Sequence, residues 1–181
     1  MKTVTLLDKT FKVDITHEQL QESIAELATK INSDYKDCPS TPLLLVVLNG
    51  AFMFAADLMK NIDFNCEVSF VKLASYSGTS STGNIKELIG LNDNIEGRHV
   101  IIVEDIVDTG NSIGHMLNTL EQHKVASVEV ATLLYKPEAY KGTFTIKYHA
   151  RTIPNDFIVG YGLDYEQLGR NLKDIYKICN D

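Results

Sequence analysis

Tryptophan is absent from this chain of 181 residues, and there are only four prolines and three cysteines. Scarce proline and the lack of any low-complexity stretch or internal repeat exclude a disordered or fibrous polypeptide. Cys38, Cys66 and Cys179 are odd in number and widely spaced, and no C-x-x-C occurs. A disulfide framework or zinc site is therefore not expected, and reduced thiols in a cytoplasmic protein are the plain reading. No apolar run approaches the length of a membrane span. The opening MKTVTLLDKTFKVD lacks the apolar core of a secretion signal. The five histidines form no H-x-x-x-H pair and read as surface or packing residues. Positive charge is also short: 17 Lys and Arg stand against 24 Asp and Glu, for a net charge of −7. That balance disfavours nucleic acid or an acidic membrane as partner. A small anionic substrate stays open, because a local pocket or a bound cation can override net charge.

What remains is ordinary for a globular protein, with 44% hydrophobic and 23% charged residues. The length suits one domain spanning 1–181. Thr16 reads as an N-cap with Gln19 completing a capping box, followed by Leu20, Ile24, Leu27 and Ile31 at helical spacing. Residues 43–48 (LLLVVL) are continuously apolar and stop at Asn49-Gly50, as a strand buried on both faces does. Phe54, Leu58, Met59 and Ile62 then predict a helix. Residues 68–74 read as a strand, and 75–84 (SYSGTSSTGN) as a polar, mobile loop. Residues 85–91 can pair back as a hairpin arm. Residues 100–103 form another buried strand, followed by a helix carrying Ile113, Met116, Leu117 and Leu120. Residues 128–134 and 157–159 complete the set of core strands. Buried strands alternating with helices predict an α/β fold with a mainly parallel sheet flanked by helices. Ligands of such folds bind beyond the carboxyl ends of the strands.

The stretch VIIVEDIVDTGNSI (100–113) lies at such an end. Glu104 and Asp105 are adjacent carboxylates able to accept hydrogen bonds from a cis-diol such as ribose. Asp108, Thr109, Gly110, Asn111 and Ser112 lead into a helix. Backbone N–H groups, hydroxyls and the positive end of the helix dipole make that start a phosphate cradle. Helix capping would explain Thr109 alone. It does not explain three acids in five residues, which repel one another unless cations or hydroxyls meet them. Diol recognition beside phosphate recognition indicates a ribose 5-phosphate.

This stretch resembles the phosphoribosyl pyrophosphate (PRPP) signature of type I phosphoribosyltransferases: an apolar strand, two acids, two apolar residues, then D-T-G-x-[ST]. The competing phosphate motifs G-x-x-x-x-G-K-[ST] and G-x-G-x-x-G are absent. The resemblance extends over nearly the whole chain. Leu48-Asn49-Gly50-Ala51 resembles the family's pyrophosphate loop, which implies backbone contacts at Asn49 and Gly50 and a non-proline cis peptide at Leu48-Asn49. Many relatives carry Lys where this chain has Asn49. Ser75-Tyr76 resembles the head of the catalytic lid, a segment that excludes water during reaction.

Lys136 matches the lysine that reads O6 of the purine; an ammonium donor there favours 6-oxo over 6-amino bases, since an amino group would leave two donors facing each other. DFIVGYGLDYEQLGR (156–170) resembles the base-binding hood of the family's hypoxanthine-guanine branch. The resemblance implies Phe157 stacked on the base, Ile158 offering its backbone to the base edge, Asp164 near magnesium through water, and Arg170 on pyrophosphate. It also places Asp108 at N7 of the base as the catalytic carboxylate, and Glu104 and Asp105 near ribose and metal. The implied hood comes mainly from about 150–181 and the N-terminal segment.

The expected protein is thus a magnesium-dependent purine salvage enzyme using PRPP and a 6-oxopurine base. It is expected in the cytoplasm as a homodimer or homotetramer, with no nucleic-acid or membrane partner. A transferase for another base, a PRPP-sensing regulator without catalysis, and an unrelated nucleotide-binding scaffold remain as alternatives.

Overall fold

Leu43–Leu48 forms β3, near the middle of a six-stranded sheet in this computed structural model. The structure describes residues 2–75, 85–89 and 94–179. The sheet contains β4 (Glu67–Ser75), β5 (Ile85–Ile89), β6 (His99–Val107), β7 (Ser127–Tyr135) and β8 (Tyr148–Thr152) in the order β5-β4-β3-β6-β7-β8. β4, β3, β6, β7 and β8 run parallel, and β5 returns antiparallel on β4. The all-apolar run of β3 has a direct cause. Leu44 and Val46 pack under α1 (His17–Tyr35) and α2 (Phe52–Lys60), while Leu43, Leu45 and Val47 join the core on the face of α3 (Asn111–Gln122). A parallel strand covered on both faces has no solvent side to mark with polar residues.

The start of α1 follows from its sequence. The Thr16 hydroxyl accepts the Gln19 N–H at 3.3 Å, and the Gln19 side chain accepts the Thr16 N–H at 2.9 Å. Leu20, Ile24, Leu27 and Ile31 are the buried stripe. α2 ends at Lys60, earlier than apolar spacing through Ile62 implies. Asn61 caps it by donating its backbone N–H to Leu58 O, and Ile62 packs against the core from beyond the helix.

A second sheet stands apart from the first in topology. β1 (Thr3–Leu6), β2 (Lys9–Ile15), β10 (Ile175–Ile178) and β9 (Ile158–Val159) form an antiparallel sheet in the order β1-β2-β10-β9. It joins the two ends of the chain around Phe11, Val159 and Tyr176. This corrects the expectation that 157–159 is a further core strand of the parallel set. β8 takes that place on β7, while β9 is the edge of the small sheet. Composition cannot tell which sheet a three-residue apolar run joins, and the polar sequence YHART conceals β8.

A second difference concerns β6. It does not stop at Val103, because its ladder with β7 continues through Glu104↔Thr132 to Val107↔Tyr135. Backbone pairing is indifferent to the charge of the side chains, so two acids ride inside the strand. Among the described residues no helix is long and apolar enough to cross a membrane.

Candidate active site

Glu104 is buried on β6 and Asp105 is half-buried beside it. Burial, and then the neighbouring Asp105 charge, raise the Glu104 carboxyl well above the ordinary carboxylate range. Burial pushes Asp105 up to about 6, against the opposing effects of the Ile106 N–H, which it accepts at 2.8 Å, and the Arg170 guanidinium. Asp164 acts on Asp105 in the opposite sense to Arg170. These acids therefore need cations or hydroxyl donors that the fold itself supplies only in part.

Asp105 leans on the loop after β3. A Cβ at Gly50 would lie 1.6 Å from its Oδ2, so only glycine admits the carboxylate there. The Leu48-Asn49 peptide in this loop is cis, at the bond the resemblance indicates, and Asn49 is exposed.

At the other end of the β6–α3 connection, Gly110 has φ +87° and occupies the N-cap of α3 with no side-chain cap. Thr109, Asn111 and Ser112 are exposed around it; the Asn111 N–H makes a long 3.5 Å bond to Thr109 Oγ1, and the N–H groups of a helix's first turn have no intrahelical partner. The loop is braced from behind. The Tyr140 ring lies 2.4 Å from where a Gly110 Cβ would be, and Lys141 N–H donates to Thr109 O at 3.1 Å.

Lys136 follows β7 and is buried, a costly place for an ammonium unless it is paired. Its Nζ donates to Asp108 Oδ2 at 3.1 Å and to Asn155 Oδ1 at 3.3 Å. An ammonium has three donors, so one remains among the described residues. Two residues beyond Asn155, the Phe157 ring is 45% exposed. It is backed by Phe11 at 6.0 Å and by Tyr165 edge-on at 5.8 Å. Ile178 N–H donates to Phe157 O, and Lys177 faces Ile158 across β9 and β10. Alternation of an antiparallel ladder then turns the N–H and C=O of Ile158 toward the open edge.

Asp164 and Arg170 meet as an ion pair at 2.5 Å. Arg170 Nη1 also donates to Gly162 O at 2.8 Å, and Gly162 itself abuts Gly50. The features thus fall into two linked sets: Asp105, the Gly50 loop, Gly162, Arg170 and Asp164 in one, and Asp108, Lys136 and Asn155 in the other.

Comparison with known proteins settles the lineage. A family model described as a phosphoribosyl transferase domain matches residues 15–166. The chain is 42% identical to a hypoxanthine-guanine phosphoribosyltransferase of Staphylococcus epidermidis, over 87% of this chain and 88% of that one. It belongs to the hypoxanthine-guanine phosphoribosyltransferase family. The enzyme of that name from Streptococcus pneumoniae is 40% identical over 89% of each chain. Among solved structures, a hypoxanthine-guanine phosphoribosyltransferase from Bacillus anthracis superposes with a TM-score of 0.85 at 37% identity, covering 93% of this chain and 97% of that one. A hypoxanthine phosphoribosyltransferase from Trypanosoma cruzi gives 0.87 at 34% identity, covering 97% and 95%.

In this transferase the candidate residues do not all meet one another. Lys136 and Asp108 touch, as do Asp164 and Arg170, and Asp105 presses on Gly50. Glu104, Asp105 and Asp164 do not close into a cage: among the described residues no three His, Cys, Asp or Glu side chains gather as a metal site. Ser75 ends β4 opposite Ile85 of β5, and Tyr76 lies outside the described residues. Two neighbours of the site had no sequence signal. Asn155 reads as a turn residue after proline, and Tyr140 as an ordinary loop aromatic; only the folded chain sets them against Lys136 and Gly110.

Proposed function

We propose that this purine salvage enzyme transfers the 5-phosphoribosyl group of PRPP to hypoxanthine, and also to guanine, giving IMP or GMP and pyrophosphate. The observation that carries this reading is the buried Lys136 ammonium. It is held by Asp108 and Asn155, beside the exposed Phe157 ring, with one donor to spare. A 6-oxo group accepts that donor, and a 6-amino group does not. Phe157 stacks on the base, and the Ile158 backbone reads its far edge.

The open first turn of α3, with Thr109, Asn111 and Ser112, holds the 5-phosphate. Glu104 and Asp105 accept the ribose hydroxyls. The backbone at Asn49 and Gly50 binds pyrophosphate together with Arg170, whose forked guanidinium suits phosphate oxygens. N9 of the base bonds to C1 of the ribose as the bond from C1 to pyrophosphate oxygen breaks. The base sheds one proton, and Asp108 at N7 orients the ring and takes part in that transfer.

The site chemistry fits magnesium. Glu104 and Asp105 are hard oxygen donors raised by burial and in need of positive charge, and Asp164 stands within electrostatic reach of Asp105. Asp164, with Glu104 and Asp105 alongside the ribose hydroxyls, would hold the ion largely through the substrates. Bound magnesium spreads the negative charge of the leaving group.

On this reading the chain is one phosphoribosyltransferase domain, with the small sheet as its hood and residues 75–84 as its lid. It works in the cytoplasm as a homodimer or homotetramer. Apolar exposure supports self-association: Val68 and Phe70 lie on the α1/α2 side of the sheet by register, and Phe52 of α2 is also exposed. The deciding assay is turnover of hypoxanthine, guanine, xanthine and adenine with PRPP and magnesium. Hypoxanthine and guanine are expected to react and adenine not to; adenine used as readily as hypoxanthine overturns the proposal.

A further inference from the structure

Residues 160–162 have three consecutive positive φ angles: Gly160 at +101°, Tyr161 at +49° and Gly162 at +101°. Glycine takes such angles freely, whereas tyrosine does so at a cost. Tyr161 is nonetheless fully buried. Its N–H donates to Leu172 O at 2.8 Å, and its hydroxyl donates to Asp57 Oδ2. Gln21 of α1 donates to the same Asp57 oxygen at 2.8 Å and to the Tyr161 hydroxyl at 3.1 Å, and Lys60 donates to Asp57 Oδ1 at 2.8 Å. Burial pushes Asp57 up, but these three donors hold it low, so it stays an ionised acceptor.

The position of this network matters more than its strength. Asp57 lies on α2, the helix that grows directly out of the Asn49-Gly50 loop. Tyr161 is flanked by Gly162, where a Cβ would sit 2.0 Å from Gly50 O. The Gly162 carbonyl accepts Arg170 Nη1, and the Gly162 N–H donates to Arg170 O at 3.0 Å. The phenol hydroxyl, beside the direct Gly162–Gly50 approach, therefore ties α2 and the loop at Gly50 to the segment bearing Asp164 and Arg170.

We infer that Tyr161, through Asp57 and Gln21, is a positioning residue that aligns Arg170 with the Gly50 loop across the pyrophosphate subsite. The inference rests on the proposed reaction, in which those two elements grip the leaving group from opposite sides. The network touches neither Lys136 nor Phe157, so base binding should be spared. Misplacement of a binding group by a fraction of an ångström lowers the rate without any loss of contacts elsewhere.

The test is steady-state kinetics in both directions on the full-length enzyme, with thermal melts alongside. Tyr161→Phe deletes only the hydroxyl. The KM values for PRPP and pyrophosphate are expected to rise about 10-fold, the scale of one weakened hydrogen bond between Arg170 and a charged phosphate oxygen. The KM for hypoxanthine should stay within about 2-fold, a split that a merely structural role would not give. Asp57→Asn keeps an acceptor for the hydroxyl and should stay close to wild type, whereas Asp57→Ala should behave like Tyr161→Phe. If Tyr161→Phe does not fold, the Asn–Ala contrast at position 57 carries the test. Unchanged PRPP and pyrophosphate KM values in Tyr161→Phe and Asp57→Ala overturn the inference, as does an equal rise for all three substrates. Failure of the proposed reaction is distinguishable, because the wild-type enzyme itself would then not turn over hypoxanthine.

Discussion

Glu104 and Asp105 lie in a buried strand that raises both acids and, among the described residues, gives neither an ion-pair partner, whereas Asp164 and Arg170, between β9 and β10, neutralise each other at 2.5 Å. Asp108, three residues along from Asp105, belongs to the second kind, since Lys136 is its partner. The difference teaches how one site can be both ready and stable. The parallel sheet holds its acids in place by backbone pairing that ignores their charge, so it maintains an unmet demand for hydroxyls and cations. The paired groups are quiet until substrate competes for their partners. Unpaired buried acids cost stability, whereas paired charges cost little.

The sharpest way to break this comparison is at Asp108. Asp108→Asn keeps a hydrogen-bonding partner for Lys136 but removes the carboxylate, so the fold and PRPP binding should survive. Turnover of hypoxanthine should fall at least about 10²-fold, the lower end for general acid–base help, and the reverse reaction should slow as well. Steady-state rates in both directions, beside a PRPP binding titration, measure this. Near-normal turnover would make Asp108 a capping or binding residue only.

Removing the other half of that pair should act on a different quantity. Lys136→Ala deletes a buried, charge-assisted donor, and the KM for hypoxanthine should rise about 10- to 100-fold, corresponding to ~1.5–3 kcal/mol. PRPP affinity should change much less, because among the described residues the Lys136 ammonium bonds to Asp108 and Asn155 and not to Glu104, Asp105 or the α3 start. Equal weakening of both substrates in parallel titrations would remove Lys136 from the base subsite.

The unmet pair predicts a pH effect. The folded Asp105 carboxyl is raised to about 6, against an ordinary value of about 3.9 in an unfolded chain. A raised acid contributes stability that is fully present below about pH 4 and lost as pH rises through about 6. The loss is at most ~3 kcal/mol at 1.36 kcal/mol per unit. Asp105→Asn should therefore melt at a higher temperature than wild type at pH 7, with the gap closing toward pH 4, while its PRPP affinity falls. Superimposable melting curves from pH 4 to pH 7 would show that the strand does not bear an unmet charge there.

The smallest effect is expected at the start of α1. Thr16→Ala removes one half of the α1 capping box and should cost about 1 kcal/mol in denaturant unfolding. It should leave kinetics unchanged, because the Thr16 hydroxyl bonds to the Gln19 N–H and, among the described residues, to no candidate site residue. A kinetic defect in that variant would tie α1 to the site beyond Gln21.

Several elements were legible from the chain alone, for local reasons. The run LLLVVL could only be a strand covered on both faces, and Thr16 with Gln19 marks a helix start through bonds spanning three residues. The acids and D-T-G of 104–110 stand out in the chain because three carboxylates in five residues repel one another unless cations or donors meet them, and the structure gives such a partner to Asp108, in Lys136. The pairing of β9 with β10 and of β8 with β7 was hidden, because partners contributed from 15 or more positions away leave no periodicity in either segment. The same holds at the site. Sequence determined which chemical groups are present and that they fall at strand ends and a helix start, since propensity, apolar runs and capping act over a few residues. Only the tertiary structure decided that Asn155 faces Lys136, that Asp105 fills the space where a Gly50 side chain would be, and that Tyr161 reaches Asp57. Those contacts join segments 19, 55 and 104 positions apart, and their geometry follows from the strand order of the parallel sheet and from the packing of the 160–162 segment on α2, which no local pattern encodes.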